Sequence, residues 1–497
     1  MTDTSHDVII IGGGINGAGI ARDCALRGIK TLLIEKHDFA KGASGNNTGM
    51  IHGGIRYLRY DVGTTRSACT DSGYIQKIAG HLLHRVPFLF PVKKKDFGGK
   101  FLLEGAEIFF EAYDRFQPLK NGKTHTRLTR EEALELEPGL SPDILGAVTL
   151  DEWAVDFYRL NVENAVDAKL AGAQVRNYCE FTKFIQDSKN QVAGIEFYDH
   201  VNKRHEEHTA KWVINATGAW GASISKQTNK PYRLRPGKGT HVVYPHRISN
   251  YGLIMKAIDG RQMFFLPHGQ ETIIGTTDDD YYGDLDNIPI LEDEIRYVIE
   301  SARSIFPSID KYEPHNSYVG LRPTLYEWGK NEYALSREHL ILNHHNNLFS
   351  IMGGKLASYR ELAEEVTDIL AEKLDVKTPC QTHTRILPGF HPEAETEEVC
   401  MCEGISKEDL TYSIHNEICS RLSDLRGRTH LGKGTCGGVH CLNRASQIFA
   451  QEKKLSCEQQ LQELKHMQDV CLSERSSVLD GANLAREELG HLLRHFN

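Results

Sequence analysis

A short apolar strand that runs directly into a glycine-rich turn constrains the fold of this chain more than any other feature. Residues 8–11 are all apolar, and Gly12, Gly14 and Gly17 follow with the spacing G-x-G-x-x-G. A helical stretch and a second apolar run that ends at Glu35 complete a βαβ unit. Such glycines permit a tight turn and let a pyrophosphate approach the helix N-terminus, and an acidic residue in this place accepts hydrogen bonds from ribose hydroxyls. The pattern therefore predicts dinucleotide binding.

The fingerprint alone does not distinguish FAD from NAD. Two later glycine turns, at Gly218 and at Gly353-Gly354, each follow an apolar run and are typical of turns at strand ends. Both could return to the same cofactor, or each could have a purely structural role. An NAD domain is normally compact, whereas these turns are scattered over most of the chain. This scatter favours FAD.

Length and charge exclude several classes of protein. A chain of 497 residues is too long for one core and predicts two or three domains. The net charge of −9 argues against a nucleic-acid partner. No apolar run is long enough to cross a bilayer and no leader peptide precedes the first strand, so we expect a cytoplasmic protein. Its eleven cysteines are then reduced thiols or metal ligands. Cys380, alone in ordinary sequence, predicts a core or surface thiol.

Strands and helices alternate along most of the chain. Apolar runs such as residues 212–216 and 348–351 predict strands, and residues 160–170 and 292–305 predict helices. This alternation predicts an α/β architecture around a parallel sheet. Residues 387–399 contain two prolines and several acidic residues, which predicts a linker. Beyond it the pattern becomes helical and contains several cysteines.

Two cysteine pairs lie in this C-terminal part of the chain. Cys400 and Cys402 are separated by one residue, and Cys436 and Cys441 by four residues that include two glycines. Four thiolates suit either a [2Fe-2S] cluster or a structural zinc ion, but paired zinc ligands are usually separated by about two to four residues. The first pair therefore favours the cluster, with zinc as the alternative. The glycines free backbone N–H groups that could hydrogen-bond to sulfur.

Several sequence blocks resemble the FAD-dependent glycerol-3-phosphate dehydrogenases. The matching blocks are residues 17–28, 35–36, 51–58, 237–241, 320–323 and 353–360. Together they extend the resemblance over residues 5–375. The sequence departs from the family at residues 45–49, where the aerobic enzymes usually have serines and a lysine.

The cysteine-containing region is similar to the bacterioferritin-associated-ferredoxin (BFD-like) type of [2Fe-2S] domain. This addition is typical of the catalytic subunit of the anaerobic, multisubunit members of the family. The resemblance implies an α/β fold in three parts. Residues 1–385 would form an FAD-binding Rossmann-like domain, of the glutathione-reductase/D-amino-acid-oxidase type, interleaved with an α+β substrate domain. Residues 395–450 would form a small helical [2Fe-2S] domain, and residues 451–497 a helical tail.

The resemblance also implies a reaction, the oxidation of sn-glycerol 3-phosphate to dihydroxyacetone phosphate. A phosphate dianion needs fixed positive charge, and Arg56, Arg322 and Lys355 lie in matching blocks beside glycines. His241 is the first candidate for the base that accepts the alcohol proton, because an imidazole titrates near neutral pH. His52 is the alternative base.

Further residues of the matching blocks complete the expected site. Tyr57 could orient the substrate hydroxyl or stack in the pocket. The residues expected to contact FAD are Gly12, Gly14, Gly17, Glu35, Lys36, Thr48, Gly218, Gly353, Gly354 and Leu356. The expected ligands of the cluster are Cys400, Cys402, Cys436 and Cys441.

A two-electron flavin followed by a one-electron cluster implies an electron relay. The resemblance implies that electrons pass to other subunits of a membrane-associated complex and, indirectly, to a quinone. The chain itself would be cytoplasmic or peripheral on the inner face of the cell membrane. One alternative is a related flavin enzyme acting on a 2-hydroxy acid or an amine. Another, from a different class, is an electron-transfer or iron-sensing module without turnover.

Overall fold

The structure is a computed structural model and describes residues 4–55, 58, 62–94, 99–228, 230–326, 339–393 and 397–496. The strands are β1 Ser5–Ile11, β2 Thr31–Ile34, β3 Leu83–Lys93, β4 Arg127–Thr129, β5 Ile144–Val155, β6 Gln174–Arg176, β7 Cys179–Gln186, β8 Val192–Asp199, β9 Arg204–Asn215, β10 Leu234–Tyr244, β11 Gly252–Lys256, β12 Gln262–His268, β13 Glu271–Gly275, β14 Asp279–Asp280, β15 Asn316–Leu325, β16 Leu340–Asn343, β17 Leu348–Met352, β18 Glu398–Cys400 and β19 Ile405–Ser406. The helices are α1 Ile15–Leu26, α2 Val62–Ile78, α3 Gly99–Asp114, α4 Arg130–Leu136, α5 Phe157–Leu170, α6 Gly221–Ser225, α7 Glu292–Arg303, α8 Tyr359–Leu374, α9 Lys407–Asn416, α10 Leu425–Thr429, α11 Leu442–Lys453, α12 Cys457–Ser476 and α13 Gly481–Phe496.

The first sheet has eight strands and contains the glycine turn. Its order is β16-β17-β9-β1-β2-β6, and the antiparallel strands β7 and β8 extend it beside β9. The neighbours β17, β9, β1, β2 and β6 run parallel, so their carboxyl ends meet at one edge. The predicted parallel sheet is confirmed.

Helices α1, α5 and α8 cover one face of this sheet. Their small and apolar side chains pack with β1 in one core that includes Val8, Ile10, Ala18 and Leu362. Residues 8–11 are buried on both faces of the sheet, which explains why they form a continuous apolar run. The predicted strands and helices of residues 212–216, 348–351, 160–170 and 292–305 are also confirmed within a few residues.

The second sheet has nine strands in the order β14-β10-β13-β12-β11-β3-β5-β4, with β15 pairing with the far side of β10. Strands β3 to β5 lie between β2 and β6 in the chain, and strands β10 to β15 lie between β9 and β16. The chain therefore passes repeatedly between the two sheets. As a result, β10 and β15 of the second sheet lie beside the loop that follows β2, where Gly320 packs against Asn46.

The C-terminal region has its own apolar core and docks on both sheets. The core joins the β18–β19 hairpin to α9, α10, α11 and α12 through residues such as Leu410, Leu425 and Phe449. Helix α12 buries Met467 and Cys471 and packs against β15, so this part of the tail packs on its own chain. The boundaries of the three parts stay a prediction. Among the described residues, no helix is both long and apolar enough to span a membrane.

Candidate functional site

The glycine turn opens a cleft at the carboxyl edge of the parallel sheet. Gly12 has φ +106°, and a Cβ there would lie 2.7 Å from the carbonyl oxygen of Ala216. A Cβ on Gly17 would lie 1.9 Å from the carbonyl oxygen of Gly12. Both positions therefore require glycine. Helix α1 begins directly after Gly14, and the first residues of the helix, Ile15 and Asn16, lie at the wall of the cleft.

Glu35 directly follows β2, one residue beyond the end of the strand, and lies at the wall of the same cleft. Its two carboxylate oxygens accept hydrogen bonds from the backbone N–H groups of Gly13 at 2.6 Å and His37 at 2.9 Å. Burial raises the pKa of Glu35, and these two N–H groups oppose that shift. The carboxylate is thus held in a fixed orientation beside the turn. Lys36 points to Asp286, with 2.7 Å between Nζ and Oδ2.

The cleft has a volume of about 440 Å³ and collects most of the predicted cofactor contacts. Predicted residues at its wall are Gly12, Gly14, Glu35, Lys36, Gly218, Arg322, Gly353, Gly354, Lys355 and Leu356. Gly17 packs on Gly12 instead, and Thr48 contacts the second sheet. Residues that sequence reasoning missed are Asn16, Ser44, Asn47, Thr217 and Trp220. The hydroxyl of Ser44 accepts a hydrogen bond from the N–H of Ile15 at 2.9 Å, a contact that no local sequence pattern signals.

The second sheet places His241 next to the first sheet. His241 lies on β10, is almost fully buried, and stacks on Tyr318 of β15 with 4.6 Å between ring centroids. Its Nε2 lies 3.2 Å from the Oγ1 of Thr48. Burial, followed by the positive charge of Arg322, lowers the pKa of His241 to about 3. The imidazole is therefore neutral near neutral pH, and it is a weaker base than an ordinary histidine.

Arg322 lies at the junction of the cleft and the second sheet. Its guanidinium donates to Asp278 at 2.8 Å, to the carbonyl oxygen of Thr277 at 3.1 Å and to the hydroxyl of Thr276 at 3.2 Å. Its Nη2 would lie 2.8 Å from a Cβ on Gly239, so glycine permits this approach. These contacts fix the guanidinium in place.

The matching block at residues 51–58 contains three more of the predicted site residues. Arg56 and Tyr57 lie outside the described residues. His52 is half-buried, and its Nδ1 accepts a hydrogen bond from the N–H of Gly54 at 3.0 Å.

The four predicted cysteine ligands lie in one part of the C-terminal region. Cys400 and Cys441 are buried and their sulfurs interact, whereas Cys402 is exposed. The Sγ of Cys402 lies 3.8 Å from the hydroxyl of Thr435, next to Cys436 in the chain. Interaction with Cys441 and the backbone N–H groups of residues 402 and 403 lower the pKa of Cys400 to about 6, against the effect of burial. This environment stabilises a thiolate.

The C-terminal region contacts the cofactor fold through a buried ion pair. The guanidinium of Arg428, on α10, binds both carboxylate oxygens of Asp38, in the loop three residues after Glu35. Tyr178 donates a hydrogen bond to Asp424 across the same interface at 2.5 Å. A second cavity, of about 630 Å³, lies between these parts; its wall includes Tyr318, Lys433 and Glu403. The cavity thus extends from Tyr318, which stacks on His241, to Glu403, which follows Cys402 in the chain.

Three features of this fold are typical of flavin-dependent oxidoreductases: a parallel sheet with a glycine turn, an acidic residue directly after its second strand, and an interleaved, mostly antiparallel sheet. The family profile described as "FAD dependent oxidoreductase" matches residues 7–360. The chain is 30% identical to one subunit of the anaerobic glycerol-3-phosphate dehydrogenase of Haemophilus influenzae, over 90% of this chain and 85% of that protein. It is also 30% identical to the corresponding subunit of the Escherichia coli K12 enzyme, over 93% and 91%. The chain belongs to the FAD-dependent oxidoreductases and, within them, to the glycerol-3-phosphate dehydrogenase family.

Two further comparisons agree with this placement. The aerobic glycerol-3-phosphate dehydrogenase of Staphylococcus haemolyticus is 34% identical over 78% of this chain and 72% of that protein. The crystal structure of the glycerol-3-phosphate dehydrogenase from Bacillus halodurans, complexed with FAD, matches with a TM-score of 0.75 and 23% identity, over 97% of each chain. At that identity the structural match supports the fold. The resemblance and fold class predicted from the sequence are confirmed.

Proposed function

We propose that this chain catalyses the FAD-dependent oxidation of sn-glycerol 3-phosphate to dihydroxyacetone phosphate. The observation that carries the proposal is that Arg322 and Lys355 both line the dinucleotide cleft, and that Arg322 is close enough to the buried His241 for its charge to lower the pKa of His241. The names of the relatives give the substrate class. FAD, when bound, supplies the acceptor for the hydride that leaves the carbinol carbon.

The residues of the chain then have distinct proposed roles. The glycine turn and the N-terminus of α1 hold the pyrophosphate, and Glu35 binds ribose hydroxyls. Arg322 and Lys355 bind the phosphate of the substrate, together with Arg56 from its matching block. The neutral Nε2 of His241 accepts the alcohol proton, either directly or through Thr48 Oγ1.

A comparison of phosphorylated and unphosphorylated alcohols as substrates of the Arg322→Gln variant tests the assignment of Arg322 to the substrate phosphate. A lost charge-assisted hydrogen bond costs roughly 1.5–3 kcal/mol, so KM for glycerol 3-phosphate should rise roughly 10- to 100-fold with an artificial electron acceptor. The matched control is Arg303→Gln, because Arg303 is an exposed arginine at the end of α7 that pairs with Asp310. An equal loss for unphosphorylated alcohols would favour the alternative, a flavin enzyme acting on a 2-hydroxy acid or an amine.

For the C-terminal region we propose a [2Fe-2S] cluster held by Cys400, Cys402, Cys436 and Cys441. The cluster, when bound, takes up one electron at a time. Cys400 and Cys402 are separated by one residue, whereas paired zinc ligands are usually separated by about two to four residues. This spacing supports a cluster over a single zinc ion.

Iron and acid-labile sulfide analysis of anaerobically purified protein tests the cluster. We expect both in the wild type and a loss of both in Cys436→Ser. The exposed tail cysteine gives the control, because Cys457→Ser should retain them. Zinc in place of iron and sulfide would overturn the proposal.

We further propose that electrons pass from this chain to partner proteins of a larger complex and, through them, to a quinone. The anaerobic relatives are named as parts of a multichain enzyme, which supports such partners. The exposed Leu489 and Leu492 of α13 offer an apolar surface near this region. The chain would be cytoplasmic and associated with the inner membrane face through these partners.

A further inference from the structure

We propose a second, separate metal site, for a single zinc ion, formed by Glu364, Cys380 and His383. One donor atom from each of these side chains lies within 4.8 Å of the other two. Glu364 lies on α8, and Cys380 and His383 lie in the segment that follows this helix. The site shares no residue with the four C-terminal cysteines and does not depend on the function proposed above.

The donor set identifies the class of ion. A thiolate, an imidazole and a carboxylate together suit zinc, whereas calcium and magnesium prefer oxygen ligands. Cys380 and His383 are separated by two residues, a spacing that lets two ligands reach one ion. Three protein ligands leave one tetrahedral position for water or a fourth side chain.

The surroundings of Cys380 favour a cation at this point. The thiol lies within hydrogen-bonding reach of the carboxylates of Glu364 and Asp23, and its sulfur lies 3.1 Å from the hydroxyl of Thr382. Two carboxylates beside one thiol would repel a thiolate, so a cation among these three groups would be stabilising. A zinc ion in place of the thiol proton would offset two of the three negative charges, and Arg27 and Arg360 already pair with the two carboxylates.

Neighbouring side chains hold the other two ligands in position. The Nη1 of Arg360 donates to Oε2 of Glu364 at 2.6 Å and to Thr382 at 3.3 Å. The ring of His383 packs edge-on against Tyr74 of α2, with 5.5 Å between centroids. Such supporting contacts orient metal ligands before the ion binds. Zinc would thus tie the segment after α8 to both α8 and α2.

Zinc content of the purified full-length chain tests this site. After equilibration with zinc and removal of loosely bound ions, the wild type should retain one more zinc ion per chain than the Cys380→Ser variant. The near-isosteric variants Glu364→Gln and His383→Gln should lose the same ion, and Cys457→Ser, an exposed cysteine elsewhere, should not. Each comparison is repeated in a Cys400→Ser background, so that zinc at the C-terminal cysteines cannot account for the difference.

Thermal unfolding gives a second readout. An ion bound only by the folded chain stabilises it, so zinc should raise the Tm of wild type and of Cys457→Ser but not that of Cys380→Ser or Glu364→Gln. Equal zinc content and equal Tm shifts in wild type and Cys380→Ser would overturn the site. Because the metal content and the flavin content are measured separately, failure here leaves the proposed dehydrogenase activity unaffected.

Discussion

Breaking the buried ion pair between Arg428 and Asp38 should loosen the C-terminal region from the cofactor fold. The Arg428 side chain has no exposed surface and that of Asp38 is 11% exposed. Arg428 also donates to the carbonyl oxygens of Asp424, Ile418 and Glu417. In Arg428→Met, Asp38 remains as a buried charge without this partner, which costs about 3–5 kcal/mol.

Native-state hydrogen exchange measures this loss directly. Since each 1.4 kcal/mol is about tenfold in an opening equilibrium, amides of α9 and α10 should exchange roughly 100- to 4,000-fold faster in Arg428→Met. The matched control is Arg444→Met, which breaks an ion pair with Glu397 whose side chains are about 40% exposed (42% and 39%). We expect exchange close to wild type there.

The double variant isolates the pair itself. Asp38→Asn removes the charge that Arg428→Met leaves behind, so the combined loss should be smaller than the sum of the single losses. A change of less than about tenfold in Arg428→Met, or strict additivity in the double variant, would refute the interpretation of this contact as a charge-dependent link.

Three further predictions concern the cofactor cleft and the proposed base. Gly17→Ala, with a Cβ 1.9 Å from the carbonyl oxygen of Gly12, should yield protein purified with little or no FAD, and full flavin absorbance would contradict this. His241→Asn should slow flavin reduction by about 100- to 10,000-fold while FAD remains bound; an unchanged rate would transfer the role to another base. Because the pKa of His241 is about 3, kcat/KM of the wild type should show no loss from imidazole protonation just below pH 6.5. Arg322→Gln removes a positive neighbour and should therefore shift the acidic limb of the pH profile of kcat/KM to higher pH. A wild-type limb at pH 6.5 that titrates with His241 would contradict the depressed pKa.

Features with a local signature could be predicted from the sequence. The βαβ unit follows from the apolar run 8–11, the glycine spacing and Glu35, because strand period, turn conformation and helix start are all encoded within about thirty residues. The glycines at 218, 353 and 354 follow apolar runs, which predicts strand-end turns, and all three lie at the cleft.

Contacts between distant segments could not be predicted in the same way. Thr48 and His241 are 193 residues apart, and Asp38 and Arg428 are 390 apart. Neither pair leaves a periodic or compositional signal, since their approach depends on how the two sheets and the C-terminal region pack. The grouping of Cys380 with Glu364 could not be predicted for the same reason. Cys380 is isolated in the sequence, and only the turn after α8 brings it close to Glu364.

The central claim is that this fold oxidises a phosphorylated alcohol at a bound flavin. The most direct test is an anaerobic titration of the purified, FAD-containing chain with glycerol 3-phosphate while the visible flavin absorbance is recorded. We predict that the absorbance bleaches with glycerol 3-phosphate and changes far less with glycerol or lactate at the same concentration. An unchanged spectrum with FAD bound, or equal bleaching by the unphosphorylated compounds, would contradict the account.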